Sequence, residues 1–408
     1  MDIDISYTYY TKKGGIHGAV LYPAPMIAPI QKDILMELIN LRKYTTIFDP
    51  FHGSGIALYE AAETSANIFV YGYDINPLAN LITKSKLLGV NADINLDINQ
   101  IETMLSSDFQ YPIIWFIGIE KWYREDIIDS LSKIKYSIDQ IKSQNNRLYL
   151  WCIFTDIVRK YSNSRSSTFK LHIKPSSRIE SMIDNTYIDF LRQAREYASF
   201  FDKHFSNWLL LKCDTLSQIK LEKNDFFDIT ITSPPYGDNK TTVPYGEFSS
   251  LAIRWISQGD LELDGWENET YSAIDSRSMG GLKILEEMNV FEKKLIQPYL
   301  DKIAERKRHK VLIFMQDYFK VLREICRVTK DYIVMTLGNR TVDGIKINLT
   351  EITKEYLEKN LFVNIESLER NIPKKRIAIN TSCVYNKPVS SMNKEFVIIH
   401  KKKNLNKV

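Results

Sequence analysis

Cysteine is scarce. The 408 residues contain four, Cys152, Cys213, Cys326 and Cys383, far apart and without a CxxC pair. That spacing offers neither a zinc ligand set nor a disulfide framework, and it fits a reducing cytoplasm. Long apolar runs are also missing, so no segment reads as a bilayer span. The N-terminal stretch MDIDISYTYYTKKGG lacks the apolar core of a secretory signal. Charge of one sign is not in large excess: 54 Lys and Arg against 50 Asp and Glu leave +4. This balance permits nucleic-acid binding without arguing for it, because clustering decides that question. The chain does have apolar content, 44% of residues, which is enough for a sizeable core and too much for a disordered chain. Its length suits one large domain or two to three smaller ones.

Periodicity organises the chain. Residues 26–43 carry apolar positions at helical spacing. TTIFDP (45–50) reads as a buried strand, HGSG (52–55) as a glycine turn and 56–66 as a helix. A strand (67–74) and another helix (75–89) follow. Strand, turn, helix, strand, helix is the start of a doubly wound, mostly parallel α/β sheet. Residues 91–204 show amphipathic helical stretches without strands, and read as a mainly helical insertion. Alternation resumes with strands at 208–214 and 227–236, helical stretches at 281–306 and 311–330, a strand at 331–339, a helix at 348–362 and a last strand at 395–403.

Three motifs fall on strand ends. Asp49-Pro50-Phe51-His52-Gly53-Ser54-Gly55 joins a strand to a helix. Glycines there let the backbone turn tightly and approach a ligand, and the following helix N-terminus favours an anion. Tyr73-Asp74-Ile75-Asn76-Pro77 ends the next strand. An acidic residue about 20 residues beyond a glycine turn accepts hydrogen bonds from ribose hydroxyls, although Asp74 could also serve as a helix cap. Thr232-Ser233-Pro234-Pro235-Tyr236 ends the strand Asp-Ile-Thr-Ile-Thr. Consecutive prolines stop a central strand and stiffen the backbone, which holds the Ser233 hydroxyl and the Pro234 carbonyl rigidly, with the flat face of Tyr236 beside them.

Taken together, these segments resemble the amino-methyltransferases of DNA restriction-modification systems, the N4-cytosine group in particular. The resemblance covers 15–90 and 205–400, and implies a Rossmann-like class I methyltransferase domain built from 1–90 and 205–408. The insertion (91–204) and residues 237–310 are then two candidates for reading the target. S-adenosylmethionine is the implied cofactor, contacted by Asp49, Phe51, Gly53, Gly55, Asp74 and Thr232. Asp214, after Cys213, matches the acidic residue that holds the adenine amino group. His17-Gly-Ala-Val-Leu-Tyr22-Pro23 looks like the segment closing over the methionine end. TTVPYGEFS (241–249) and YSNSRSSTFKLH (161–172) resemble stretches beside these motifs. Ser233, Pro234, Pro235 and Tyr236 match the catalytic tetrapeptide, in which a leading serine goes with cytosine N4.

The chemistry follows from that likeness. The cytosine amino nitrogen is a poor nucleophile until acceptors, here Ser233 Oγ and the Pro234 carbonyl, draw on its N–H groups. Positioning and electrostatics would carry the rate. The base must leave the duplex, and Tyr236 would stack on it. Carbon-5 methylation needs a cysteine nucleophile after a proline, and none of the four has that neighbour. Double-stranded DNA is the expected partner, with Arg159, Arg165, Lys170, Lys174, Lys374, Lys375 and Arg376 as phosphate contacts. A cognate endonuclease could belong to the same system. No metal is expected, and the aromatics Trp115, Phe116, Trp122 and Tyr123 read as core of the insertion. The rival readings are an N6-adenine DNA methyltransferase, an RNA base amino-methyltransferase, or an inactive DNA-binding partner.

Overall fold

The structure is a computed structural model; it describes residues 7, 15–41, 43–239, 242–281, 284–372, 380–384, 387–390 and 394–403. Helix α1 (Ala28–Leu41) precedes strand β1 (Thr46–Asp49), helix α2 (Ile56–Thr64), strand β2 (Phe69–Asp74) and helix α3 (Pro77–Leu88). The start of α3 is written locally. Asn76 caps it by accepting from Leu78 N, and Pro77 follows at the first helical position, where its fixed φ suits the helix and no donor is lost.

The next segment is helical: α4 (Ile94–Ser106), α5 (Ile119–Trp122), α6 (Glu125–Asp139), α7 (Gln144–Lys160), α8 (Ser176–Glu180) and α9 (Thr186–Tyr197). Strand β3 (Trp208–Lys212), helix α10 (Thr215–Ile219) and strand β4 (Phe227–Thr232) return the chain to the sheet. Four short helices follow, α11 (Tyr245–Ser249), α12 (Ala252–Trp255), α13 (Gln258–Leu261) and α14 (Ala273–Arg277). Then come α15 (Val290–Leu300), α16 (Glu305–Val328), β5 (Thr329–Gly338), β6 (Arg340–Val342), β7 (Ile345–Ile347), α17 (Leu349–Lys359), β8 (Phe362–Asn371), β9 (Asn380–Val384), β10 (Lys387–Ser390) and β11 (Lys394–Lys402). The helical stretch expected over 281–306 is shorter: α15 starts only at Val290, set by a capping box of Asn289 and Glu292.

The seven-stranded sheet has the order β3-β2-β1-β4-β5-β11-β8. Pairs from β3 to β5 are parallel, and β11 runs antiparallel between β5 and β8. This is the mostly parallel α/β sheet expected of the sequence. Successive strand residues point to opposite faces. Ile47, Ile229 and Val334 therefore join a core under α1 and α2, while Phe48 and Ile333 join one under α16 and α17. β4 is buried at every position, as a central strand covered on both faces must be.

A third core unites the insertion with α3 and with α11–α14. Trp151, Phe154 and Trp255 are fully buried there beside Leu81 and Ile82. Trp122 and Tyr123 lie in it, whereas Trp115 is exposed and Phe116 packs at its edge. Asp260 of α13 ties the two segments together: it accepts from Arg147 Nε at 2.8 Å, Arg147 Nη2 at 2.9 Å and Trp151 Nε1 at 2.7 Å. Among the described residues, no helix is long and apolar enough to cross a membrane.

Candidate active site

From β1 the chain builds outward through β2 to β3, and from β4 outward through β5. The switch point therefore lies between β1 and β4, which pair Ile47 with Ile229 and Phe48 with Thr230. Ligands of open α/β sheets bind in the crevice at the carboxyl ends of strands at such a point. A cavity of about 990 Å³, including its open mouth, lies there.

The glycine loop forms its floor. Phe51, His52, Gly53 and Ser54 line it. His52 N donates to Tyr73 O and Gly55 N to His52 O at 2.7 Å, closing the turn at the head of α2. Gly53 has φ +50°, and a Cβ there would lie 3.4 Å from the Tyr22 ring. Gly55 does not line the cavity. It has φ +73°, and a Cβ would meet Thr83 Cγ2 at 2.4 Å, so α3 and the loop touch only because the side chain is absent.

Asp74 ends β2 and lines the cavity. Its Oδ2 accepts from Gly53 N at 2.9 Å and its Oδ1 from Asn76 N at 2.8 Å. Burial raises its carboxyl above the ordinary range, opposed first by the His52 ring. His52 in turn is lowered by its own burial. Asp214 lies at the mouth, exposed, capping α10 and accepting from Ser217 Oγ at 2.9 Å. Thr215 Oγ1 donates to Pro50 O at 2.6 Å and so joins β3's end to the glycine loop.

The Ser-Pro-Pro-Tyr corner shares this cavity: Ser233 and Pro235 line it, and Pro234 and Tyr236 do not. Asp49 and Thr232 lie behind it and join the two motifs. Both are buried, and Thr232 Oγ1 donates to Asp49 Oδ1 at 2.6 Å, which also accepts from Phe51 N at 3.0 Å. Burial pushes the Asp49 carboxyl up to about 7, against the pull of the Thr232 and Phe51 bonds. The Tyr236 ring packs on the α16 core, and its hydroxyl pairs with Ser233 Oγ at 3.0 Å.

The N-terminal segment closes one side. Tyr22 and Pro23 are buried lining residues. The Tyr22 ring stacks on Tyr245 with centroids 5.8 Å apart, and it meets Phe248 edge-on. Burial raises the Tyr22 hydroxyl well above its usual range. Asn76 holds the assembly: its Nδ2 donates to Tyr22 Oη at 3.3 Å, Tyr245 O at 3.3 Å and Ser249 Oγ at 2.8 Å. Asn76, Asn239, Tyr245 and Asp317 line the cavity without having been assigned roles from the sequence. Asn76 stood in a quoted motif, and Asp317 left a signal as a carboxylate inside the apolar run of α16. Among the described residues no Lys or Arg lines the cavity, so Asp74, Asp214 and Asp317 give it negative character.

The expected DNA contacts divide. Arg159 is turned inward, its guanidinium 4.4 Å above the Phe248 ring and donating to Thr168 O. Lys174 Nζ donates to Ser162 O at 2.6 Å and is lowered by burial. Arg165 is exposed and Lys170 partly so. Their loop docks on α11, with Leu171 N donating to Glu247 Oε1 at 2.8 Å and Phe169 packing edge-on to Phe248. Lys374, Lys375 and Arg376 lie outside the described residues.

No protein-family model matches the chain. A solved structure, the rRNA methyltransferase aviRa of Streptomyces viridochromogenes, aligns over 94% of this chain and 90% of its own. Its identity is 10% and its TM-score 0.31, too loose a likeness to carry an argument. The type II methyltransferase M.MvaI of Kocuria varians is 31% identical over 406 residues, covering 90% of this chain and 86% of its own. Identity of that extent over most of both chains makes this chain a member of the type II methyltransferases.

Proposed function

We propose that this protein transfers a methyl group from S-adenosylmethionine to the N4 amino group of a flipped-out cytosine in double-stranded DNA, as the modification enzyme of a restriction-modification system. The observation that carries the reading is the single cavity shared by Ser233 and Pro235 with the glycine loop. The residues present fit the cofactor. Asp74 stands where ribose hydroxyls can donate, and Asp214 and Leu216 line the end expected for adenine. An acidic lining, without Lys or Arg among the described residues, favours a sulfonium and an ammonium over a polyphosphate.

When bound, S-adenosylmethionine supplies an electrophilic methyl on a sulfonium. Ser233 Oγ and the Pro234 carbonyl would accept from the two N–H groups of the target nitrogen, which concentrates its lone pair, and the proton released as the nitrogen gains the methyl would leave to solvent. The Tyr236 hydroxyl pairs with Ser233 Oγ while the ring lies on the α16 core. Stacking of Tyr236 on the base requires its ring to turn from the α16 core toward the cavity. Tyr22 and Tyr245 shield the site from water. Arg165 and Lys170 would meet phosphates, whereas Arg159 and Lys174 support the loop that carries them.

Methylation of DNA in vitro followed by mass spectrometry of the nucleosides tests the reading. N4-methylcytosine is expected. N6-methyladenine would overturn the base assignment, and labelling of RNA alone would overturn the substrate. Ser233→Ala should keep cofactor binding and slow methyl transfer by ~10²–10³-fold, the usual loss for a transition-state hydrogen-bonding partner. Unchanged turnover would remove Ser233 from the mechanism.

A further inference from the structure

One face of α3 grips the glycine loop from behind. Asn80, Thr83 and Lys86 are spaced by three, and so lie along one side of the helix. Asn80 Oδ1 meets His52 Nε2 at 3.2 Å, Thr83 Oγ1 donates to Gly53 O at 3.0 Å, and Lys86 Nζ donates to Ser54 O at 2.8 Å. Lys86 is 1% exposed. A buried ammonium is costly unless hydrogen-bonded and compensated, and the chemistry outlined above makes no use of this one.

Its effect follows from peptide geometry. Among the described residues no cis peptide is present, and in a trans peptide the C=O and N–H point in opposite directions. Drawing the Gly53 carbonyl toward α3 turns Ser54 N–H away from it, and Ser54 lines the cavity. Holding the Ser54 carbonyl fixes the next peptide, whose Gly55 N–H closes the turn on His52 O.

We propose that Lys86 and Thr83 are positioning residues for the methionine end of the cofactor: they fix the loop carbonyls so that Ser54 N–H and the head of α2 face the ligand's carboxylate. The inference rests on reading this cavity as the S-adenosylmethionine site. Calorimetry on the full chain separates the two. S-adenosylhomocysteine carries the carboxylate, and 5′-methylthioadenosine keeps the nucleoside but lacks it.

In Lys86→Met, S-adenosylhomocysteine affinity should fall by about 10- to 100-fold, the range for one charged hydrogen bond, while 5′-methylthioadenosine affinity changes by less than about threefold. Equal losses for both ligands would mean a general loosening of the fold and overturn the proposal, as would no loss for either. Should Lys86→Met fail to fold, Thr83→Val, which removes the hydroxyl's bonds to Gly53 O and to His52 Nδ1, must give the same tail-selective loss; its absence overturns the proposal. A wild-type protein that binds neither ligand sinks the cofactor reading itself, and the positioning role with it.

Discussion

Replacing Asp49 by asparagine should flatten the dependence of stability on pH. Asp49 is 0% exposed and its Oδ2 has no hydrogen-bond partner, so burial holds its carboxyl at about 7 rather than 3.8. In the unfolded chain the group titrates near its ordinary value. Between about pH 4 and 7 the folded state therefore keeps a proton that the unfolded state has lost, and stability falls as pH rises through that window. The contribution is fully present below about pH 4 and gone above about pH 7. Each pKa unit is worth about 1.4 kcal/mol, so the full passage amounts to ~4 kcal/mol.

Asparagine cannot titrate, yet it keeps an acceptor for Phe51 N and Thr232 Oγ1. The stability of Asp49→Asn minus that of wild type should climb by ~4 kcal/mol from pH 4 to 8, whatever constant offset the amide brings. Glu60 and Asp156 are likewise raised by burial to about 7, but they titrate in both proteins and cancel. Urea denaturation at closely spaced pH values reads the difference. Curves that stay parallel across the window would refute the claim that this carboxyl is desolvated in the fold.

Other perturbations probe the joints of the structure. Gly55→Ala forces a Cβ onto φ +73° and against Thr83, and should destabilise by ~2–5 kcal/mol in thermal melts; an unshifted melting temperature would contradict the close approach of loop and α3. Asp260→Ala strands Arg147 and the Trp151 indole. It should cost ~2 kcal/mol or more and open both α7 and α13 to protease, whereas cleavage confined to one segment would separate the insertion from α11–α14. Arg165→Ala and Lys170→Ala should each weaken DNA binding alike across sequences and lower the salt slope by about one. Arg159→Ala should lower stability instead, because its guanidinium packs on Phe248.

Much of the frame was legible in the sequence. The β1-loop-α2 unit, the Asp74 turn and the proline corner are each fixed within a few residues, by strand burial, left-handed glycine and the φ of proline. α15 was overextended because the stretch 281–306 has helical periodicity, while its start is decided by the Asn289 cap. Strand β8 escaped notice because its inward positions include Asn364 and Glu366, so its alternation is not one of apolar and polar residues.

The sequence alone determined that a glycine loop and a Ser-Pro-Pro-Tyr corner stand at the ends of buried strands, because local stereochemistry settles such turns. Only the tertiary structure decided that these strands are neighbours, that Thr232 reaches Asp49, and that Tyr22, Asn76 and Tyr245 meet over the cavity. It also decided that Arg159 and Lys174 hold a loop rather than face solvent. Contacts between distant residues depend on sheet order and packing across the core, and neither leaves a periodic trace in the chain.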